Sequence, residues 1–348
     1  MRSSLFASAA VALCLSLGMP AFAQFTLPGI LPTPSPAPTP VPIKREAPLR
    51  IVTTTALLAD VTRQLAGDLA VVTSIMPAGA DLHTFEPAAE SVKQLATADL
   101  VIVNGLGLEG WLDKVIANSG YAGPVVVASD GVEPITAEGV VDVGHGHDHE
   151  ARDPGVMAET HDHAHDHDHE HDHGSIDPHA WTDVMAVAQY ARNIREALAK
   201  ADAFNAAEFE ARGDLYAAQL KVLHNFILRE TSKLTPEQRI LVMDHDAMAY
   251  FARRYGFTVK TLRGASTREE ADAYHFGELG DFMRQYKVRS VYVETSANPR
   301  LIAALTRETG ARVGEPLLVH SPAPAGEPGD GYIEMMMLNV FRIARGAR

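Results

Sequence analysis

The stretch RILVMDHDAMAYFARRYGFTVKTL, residues 239–262, decides the fold. It begins with a short apolar run over 239–243 whose aliphatic side chains are typical of a buried strand. A candidate helix over 247–255 follows, and a second apolar run occupies 258–262. A strand, a helix and a strand in this order predict a parallel strand pair with helices covering its faces.

The same alternation of apolar strands and helices extends over two halves of the chain. Each half contains four short runs of the buried-strand type, separated by segments with helical periodicity. The predicted strands are 51–55, 70–76, 100–104 and 124–128 in the first half, and 239–243, 258–262, 290–294 and 312–319 in the second. The predicted helices are 57–66 and 88–97 in the first half, and 247–255, 268–286 and 301–309 in the second. These patterns predict an α/β fold of two Rossmann-like lobes with parallel sheets.

A long helical region separates the two halves, over about residues 182–228. It is rich in Ala, Leu, Glu and Arg, and a break is expected near Ala201-Asp202. The second piece is long enough either to run along both lobes as a long backbone helix or to cover one lobe only. Periodicity leaves both interpretations open.

The N-terminal residues have the pattern of an export signal. Arg2 precedes an apolar run over 5–17, and Ala21-Phe22-Ala23 supplies the small residues that a signal peptidase recognises, so cleavage is expected before Gln24. The apolar run is shorter than the ~20 residues of a membrane-spanning helix. Residues 1–23 are therefore predicted to be a signal peptide that sends the protein to the periplasm.

One cysteine, Cys14, occurs in the whole sequence, and it lies inside the predicted signal peptide. The mature chain would then contain no thiol, which excludes disulfides and thiolate metal sites. A lipoprotein is disfavoured because the bulky Leu13 precedes Cys14. Seven prolines in residues 24–43 predict an extended tether ahead of the first lobe.

The acidic residues of the chain are concentrated in one segment. The formal charge is −14, and residues 142–172 contribute ten acids and one base to it, a net charge of −9. Ten histidines alternate with these acids, at His145, His147, His149, His161, His163, His165, His167, His169, His171 and His173. This composition predicts a low-complexity loop that binds metal weakly, with metal gathering, buffering and solubility as its three possible roles. The rest of the chain offers no basic patch, so nucleic acid is not an expected partner.

Three of the remaining histidines stand where ligands of α/β proteins gather. His83 follows the second strand of the first half, and His245 follows the first strand of the second half. His179 opens the helical region between the halves. Because ligands bind beyond the carboxyl ends of parallel strands, these three imidazoles are expected to converge on one ion. Imidazole favours zinc, copper and nickel, whereas manganese and magnesium favour oxygen ligands.

A fourth ligand and several supporting carboxylates are also predicted. Asp330, in a Gly-flanked loop after the last strand, would complete a tetrahedral zinc site. Acids next to the histidines are expected to orient the imidazole rings, namely Asp81, Asp177, Asp244 and Asp246. The other histidines outside the acidic segment are interpreted as incidental, namely His224, His275 and His320.

These residues lie in motifs that resemble the metal-binding solute-binding proteins of ABC transporters, specifically the zinc group. The resemblance extends over about residues 47–348. It rests on His-Thr-Phe-Glu-Pro at 83–87, Asp-Pro-His-Ala-Trp at 177–181, His-Asp-Ala-Met-Ala-Tyr-Phe at 245–251, Tyr-Val-Glu-Thr at 292–295 and Gly-Tyr-Ile-Glu-Met-Met-Met at 331–337. The acidic His-rich loop is a further mark of the zinc members, whereas residues 263–275 depart from the common pattern.

The resemblance implies two α/β lobes joined by one rigid helix, with the metal between them. His83, His179 and His245 match the three ligand positions of the family. Asp330 matches an aspartate that completes the site in many members, while others use water or another carboxylate there. Glu86, in the first motif, is assigned a supporting role. Manganese members carry a carboxylate at the third position, so His245 favours Zn(II).

The implied function is capture of Zn(II) in the periplasm and its delivery to the membrane permease of an ABC transporter, without catalysis. A monomer is expected, and a periplasmic metallochaperone is an alternative source of the ion. The predicted divisions are a signal peptide at 1–23, a tether at 24–46, a first lobe at 47–201 that includes the His-rich loop at 142–174, a connecting helix at 202–231 and a second lobe at 232–348.

Two other classes of function stay open on the sequence. A secreted zinc hydrolase would use three protein ligands and a water, but no predicted helix contains a His-Glu-x-x-His pair and Gly-x-Ser-x-Gly is absent. A periplasmic zinc buffer without a transport role would need the same ligands. Only the dependence of metal uptake on the protein separates that class from a transporter subunit.

Overall fold

The computed structural model describes residues 43–136, 176–263, 273–294 and 299–348. The predicted signal peptide, nearly all of the predicted tether and the whole His-rich loop at 142–174 lie outside the described residues. Within the described part of the chain, no helix combines the length and the hydrophobicity that crossing a membrane requires.

The first lobe is built on a four-stranded parallel sheet with the strand order β2-β1-β3-β4. Its elements are β1 (Leu49–Thr53), α1 (Ala56–Ala66), β2 (Ala70–Ser74), α2 (Ala89–Ala96), β3 (Leu100–Val103), α3 (Leu112–Ser119) and β4 (Val125–Val127). All four residues of β3 are buried, because helices cover both faces of the sheet. Thr55 begins α1, since its hydroxyl accepts a 3.1 Å hydrogen bond from the backbone N–H of Leu58.

The second lobe repeats this architecture with the strand order β6-β5-β7-β8. Its elements are β5 (Ile240–Met243), α6 (Ala249–Tyr255), β6 (Thr258–Thr261), α7 (Ala273–Gln285), β7 (Ser290–Tyr292), α8 (Pro299–Thr309), β8 (Arg312–Val313) and α9 (Tyr332–Gly346). In each sheet the first strand in the sequence therefore lies between the second and the third. The predicted α/β class with two parallel sheets is confirmed.

Two helices connect the lobes, α4 (Val184–Ala201) and α5 (Ala206–Thr231). The break between them falls at Asp202, whose side chain accepts hydrogen bonds from Asn205. At 1.5 Å per residue, the 26 residues of α5 extend about 39 Å. This helix packs against α1 in the first lobe and against α6 and α9 in the second. It therefore contacts both lobes, as a backbone helix does.

One central cluster of apolar side chains is shared by the two lobes, and each lobe has its own outer cluster. Neighbouring strand residues point into different clusters. Ile51 lies in the central cluster and Val52 in the outer cluster of the first lobe. Met243 and Val242 divide in the same way in the second lobe. A shared core favours lobes that stay together rather than opening widely.

The last strand is shorter than predicted. The sequence predicts a strand over 312–319, but β8 contains only Arg312 and Val313. Pro316 follows closely, and its missing N–H cannot contribute to a ladder of hydrogen bonds. Leu318 N–H instead bonds the side-chain oxygen of Asn339 on α9, at 2.9 Å. The chain after β8 thus leaves the sheet and runs toward the region where the lobes meet.

Candidate metal centre

Four histidines bring one ring nitrogen each to a single point, namely His83, His179, His245 and His320. These nitrogens all lie within 4.8 Å of one another. His83 Nε2 is 3.1 Å from His179 Nε2, and His320 Nε2 is 3.3 Å from His245 Nε2. A tetrahedral zinc ion, about 2.0–2.1 Å from each nitrogen, requires neighbouring nitrogens to be about 3.3 Å apart. These two pairs of nitrogens therefore have the spacing of neighbouring ligands of a tetrahedral ion.

Each lobe supplies two of these rings. His83 lies in the turn after β2, and His179 immediately precedes a short helical turn, Ala180–Thr182, that leads into α4. His245 stands two residues beyond β5, and His320 lies on the segment that leaves β8. His83, His245 and His320 thus follow the carboxyl ends of parallel strands, where ligands of α/β proteins bind.

The four rings differ in their contact with solvent. His179 and His245 are 0% exposed and His320 is 7% exposed, whereas His83 is only half-buried. His83 is therefore the ring of the four that has the most contact with solvent.

Asp177 holds the ring of His179. Its Oδ1 lies 2.7 Å from His179 Nδ1 and also accepts a 2.8 Å hydrogen bond from the backbone N–H of His179. A carboxylate at Nδ1 favours the tautomer with the proton on that nitrogen, so the lone pair of Nε2 faces the cluster. This is the orienting role that the sequence predicts for Asp177.

Glu294 occupies the corresponding place beside His245. Its Oε1 lies 2.8 Å from His245 Nδ1, and its Oε2 lies 3.5 Å from His320 Nε2. The sequence analysis did not select Glu294, although it ends the predicted strand at 290–294. The available signal was the adjacency of that strand to the strand that precedes His245.

The other predicted supporting acids lie in different environments. Asp244 is buried and pairs with Arg263. Asp246 is buried near Asp177 and His245, and neither of its oxygens has a well-aligned hydrogen-bond donor among the described residues. Asp81 accepts a 3.0 Å hydrogen bond from the backbone N–H of His83, which fixes the turn that carries this ring. Glu86 is exposed.

The predicted fourth ligand, Asp330, lies outside the cluster, and His320 is in it instead. Asp330 is exposed, and its Oδ2 accepts a 2.8 Å hydrogen bond from the backbone N–H of Gly326, which closes a surface turn. His320 was interpreted as incidental because no acid adjoins it in the sequence. The acid beside it, Glu294, stands two residues beyond the neighbouring strand β7, so the sequence next to His320 does not indicate this contact.

The remaining predicted positions are away from the cluster. His224 lies on α5 with its Nδ1 3.1 Å from the hydroxyl of Tyr255, and His275 is exposed on α7. The ten histidines between His145 and His173 lie outside the described residues.

Burial changes the pKa values of several groups at the site. It lowers the pKa of His179 well below the ordinary 6.5, and the neighbouring His245 lowers it further. Burial likewise lowers the pKa of His320, with contributions from His179 and His245. Both rings are therefore neutral at pH 7 and offer lone pairs without first losing a proton. Burial also raises the pKa of Asp177 to about 7 and that of Asp246 to about 6 in the metal-free protein.

Comparison with known proteins identifies related sequences over most of the chain. A family model described as "Zinc-uptake complex component A periplasmic" matches residues 51–346. The metal ABC transporter substrate-binding lipoprotein SloC of Streptococcus mutans is 27% identical over 304 residues, which cover 86% of this chain and 90% of SloC. The manganese ABC transporter substrate-binding lipoprotein PsaA of Streptococcus pneumoniae is 29% identical, with 86% of this chain and 88% of PsaA covered.

Solved structures of other proteins share this fold over most of the chain. The periplasmic zinc-binding protein TroA from Treponema pallidum superimposes with a TM-score of 0.71 at 27% identity, covering 86% of this chain and 99% of TroA. A Mn-bound periplasmic metal-binding protein from Candidatus Liberibacter asiaticus shares the fold with a TM-score of 0.70 at 21% identity, over 86% of this chain and 99% of that protein.

Proposed function

Because the chain belongs to the family of periplasmic zinc-uptake components A, the metal-binding subunits of ABC transporters, we propose that its cargo is Zn(II). As a member of this family it is a substrate-binding protein that works with a membrane permease, and it is not an enzyme. The secreted hydrolase considered on the sequence is thereby rejected. Membership of the family does not identify the metal, since relatives carry zinc or manganese in their names.

The observation that supports zinc is the donor set. Four imidazole nitrogens meet within 4.8 Å, and no carboxylate oxygen of the described residues is part of the group. Manganese favours oxygen ligands, whereas zinc accepts nitrogen readily and adopts a tetrahedral geometry in closed sites. His83, His179 and His245, the three ligands predicted from the sequence, form the core of this proposal. His320 replaces Asp330 as the proposed fourth ligand.

Transport requires that the ion be bound tightly and released at the permease. Burial keeps His179 and His320 neutral at pH 7, which favours tight binding. Because the lobes share a central core and α5 contacts both, we propose that release proceeds through movement of loops at the site. The half-buried His83, on the turn after β2, is the ligand best placed to move first.

Zinc stoichiometry and affinity, measured by competition against a chelator of known strength, test the proposal. The mature protein would be compared with the triple variant His83→Ala, His179→Ala and His245→Ala. We expect the variant to lose one tight zinc equivalent while weak sites in the His-rich loop remain. His275→Ala, which removes an exposed histidine on α7, is the matched control and should keep the tight site.

Unchanged tight binding in the triple variant would mean that other residues hold the metal. The same titration with Mn(II) tests the choice of cargo, and tighter binding of manganese than of zinc would overturn it. A strain that lacks the gene should lose zinc uptake at scarce zinc. Normal uptake in that strain would favour a zinc buffer over a transporter subunit.

The family is extracytoplasmic, and the form of attachment is a further proposal. We propose a freely soluble periplasmic monomer that starts at Gln24 after cleavage, whereas SloC and PsaA are named lipoproteins. Mass spectrometry of the mature N-terminus distinguishes the two forms, because a lipoprotein would begin at a lipidated Cys14. The domain limits at 47–201, 202–231 and 232–348 and loading by a metallochaperone also remain proposals.

A further inference from the structure

Each lobe places one buried carboxylate behind one of its two histidines. Asp177 Oδ1 is 2.7 Å from His179 Nδ1 in the first lobe, and Glu294 Oε1 is 2.8 Å from His245 Nδ1 in the second. Asp177 is 1% exposed and Glu294 is 6% exposed. The two acids therefore approach the cluster from opposite lobes, without belonging to the group of four nitrogens.

Glu294 contacts imidazole rings on its own side of the cluster. It reaches both histidines of the second lobe, since its Oε2 lies 3.5 Å from His320 Nε2. Among the described residues, neither of its oxygens has a well-aligned hydrogen-bond donor. By contrast, the half-buried Glu109 accepts hydrogen bonds from Thr54 and from the backbone N–H groups of Asn104 and Gly105. A buried charge without such donors is costly unless a positive charge stands nearby.

The formal charge of the site follows from these contacts. The two carboxylates that contact the imidazoles, Asp177 and Glu294, contribute −2 when both are ionised. A divalent cation at the centre offsets both of these charges, whereas a monovalent cation offsets only one. Asp244 does not change this balance, because it is paired with Arg263. Asp246 is a further buried carboxylate near Asp177 and His245, and its ionised form makes the surroundings of the ion still more negative.

We propose that Glu294 is a positioning residue that, together with Asp177, makes the four-histidine site selective for divalent over monovalent cations. It orients the Nε2 lone pair of His245 toward the ion, and its negative charge matches the second positive charge of the cargo. Soft monovalent ions such as Ag(I) also bind imidazole, so the donor atoms by themselves do not exclude them. The inference rests on the proposed function, because it concerns the same ion site.

The test compares binding of Zn(II) and of Ag(I), in chloride-free buffer, to the wild type and to Glu294→Gln. The substitution keeps the size of the side chain and removes its charge. We expect the affinity for Zn(II) to fall about 10–100-fold, which is typical for loss of a carboxylate behind a metal-binding histidine. The affinity for Ag(I) should change much less, so the preference for Zn(II) over Ag(I) should fall at least tenfold.

Three further variants separate the effect of charge from that of structure. Asp177→Asn removes the matching carboxylate of the first lobe and should produce the same loss of preference. Glu315→Gln removes one charge from the surface of the second lobe, where Glu315 pairs with Arg345, and should leave both affinities unchanged.

Nitrogen NMR of the zinc-bound protein should show the proton of His245 on Nδ1 in the wild type. Glu294→Asp, which keeps the charge, should restore part of the preference.

The outcomes are distinct. If the wild type does not bind Zn(II) tightly, the proposed function itself fails. If it binds Zn(II) tightly and Glu294→Gln binds it equally well, Glu294 has no positioning role. If Zn(II) and Ag(I) weaken by the same factor in Glu294→Gln, the residue supports the ring mechanically and the inference of charge selection is wrong. Circular dichroism of the metal-free variants identifies any loss of folding before these comparisons are made.

Discussion

Trp181 donates a 2.7 Å hydrogen bond from its indole Nε1 to the backbone carbonyl of Val319, the residue before His320. Both residues are almost wholly buried. Trp181 stands two positions after His179, so this bond ties a ligand segment from one side of the cluster to a ligand segment from the other. A second hydrogen bond also joins the two sides of the cluster, because the backbone N–H of Gly79 donates to the hydroxyl of Ser321 at 2.9 Å.

We therefore expect Trp181→Phe to loosen the metal centre. The substitution leaves the carbonyl of Val319 buried without its donor, which costs about 1–3 kcal/mol of the free energy of unfolding. Zinc should dissociate faster because the segment of His320 is no longer tied to that of His179. Denaturant unfolding and stopped-flow transfer of zinc to a chelator measure the two effects.

The chain contains two tryptophans, which supplies a matched control. The indole nitrogen of Trp111 is buried without a hydrogen-bond partner among the described residues. Trp111→Phe should therefore leave zinc dissociation unchanged. Equal dissociation rates in the two variants and the wild type would show that the bond to Val319 does not restrain the site.

A direct comparison of His320 with Asp330 tests the fourth ligand. We expect His320→Ala to weaken zinc binding by more than about tenfold, which corresponds to at least about 1.4 kcal/mol, because one of four donors is lost. Asp330→Ala should change the affinity little, since the exposed carboxylate bonds the backbone of Gly326. Chelator competition at fixed pH gives both values. The reverse ranking would restore Asp330 as the ligand predicted from the sequence.

The depressed pKa of His320 predicts a dependence of stability on pH in the metal-free protein. The unfolded chain binds a proton on this ring below about pH 6.5, while the folded protein excludes it until a lower pH. The contribution of the neutral ring to stability is therefore complete above 6.5 and is lost as the pH falls below it. His320→Gln lacks this proton, so its free energy of unfolding should fall less steeply.

The difference in slope is at most about 1.4 kcal/mol per pH unit, the value for one proton. Urea titrations in EDTA between about pH 7.5 and 5, which bracket the ordinary histidine pKa, provide the measurement. Parallel curves for wild type and variant would mean that His320 titrates normally in the folded protein. The lowered pKa values of His179 and His320 also affect zinc binding. They predict that the affinity for zinc falls mainly below pH 6.5, where protons begin to compete for the buried rings.

The His-rich loop gives a prediction that rests on the sequence. Deletion of residues 145–173 removes ten histidines but none of the four that form the cluster. We expect the shortened protein to keep one tight zinc equivalent and to lose the weak ones. If loading and uptake at scarce zinc are also unchanged, the loop does not gather metal for the central site.

The fold was predictable because its signals are local. Apolar runs of strand length alternate with helical segments, and each pattern depends on residues close together in the chain. The end of β8 was predicted wrongly because an apolar sequence after Val313 resembles a strand. Pro316 and the bond from Leu318 to Asn339 on α9 take that segment out of the sheet. The latter contact joins distant parts of the sequence, so no local pattern reports it.

The metal centre was predictable only in part, for the same reason. His83, His179 and His245 stand in motifs with acids beside them, and the structure brings these three rings together. His320 and Glu294 meet through the pairing of strands rather than through sequence neighbours. A search for every histidine that follows a predicted strand of the second half would have included His320.

The two sheets have the same strand order, so positions just beyond their strands can be matched between the lobes. Thr55 stands two residues beyond the end of β1 and His245 two residues beyond the end of β5, so these positions correspond. Asn104 and Glu294 correspond in the same way, since each stands two residues beyond the residue that pairs with the end of β1 or of β5. Thr55 caps a helix, whereas His245 faces the ion. Asn104 bonds the backbone just before His179, whereas Glu294 adjoins His245 directly. A frame with approximate internal symmetry thus holds an asymmetric site, because equivalent positions brace the backbone in the first lobe and surround the ion in the second.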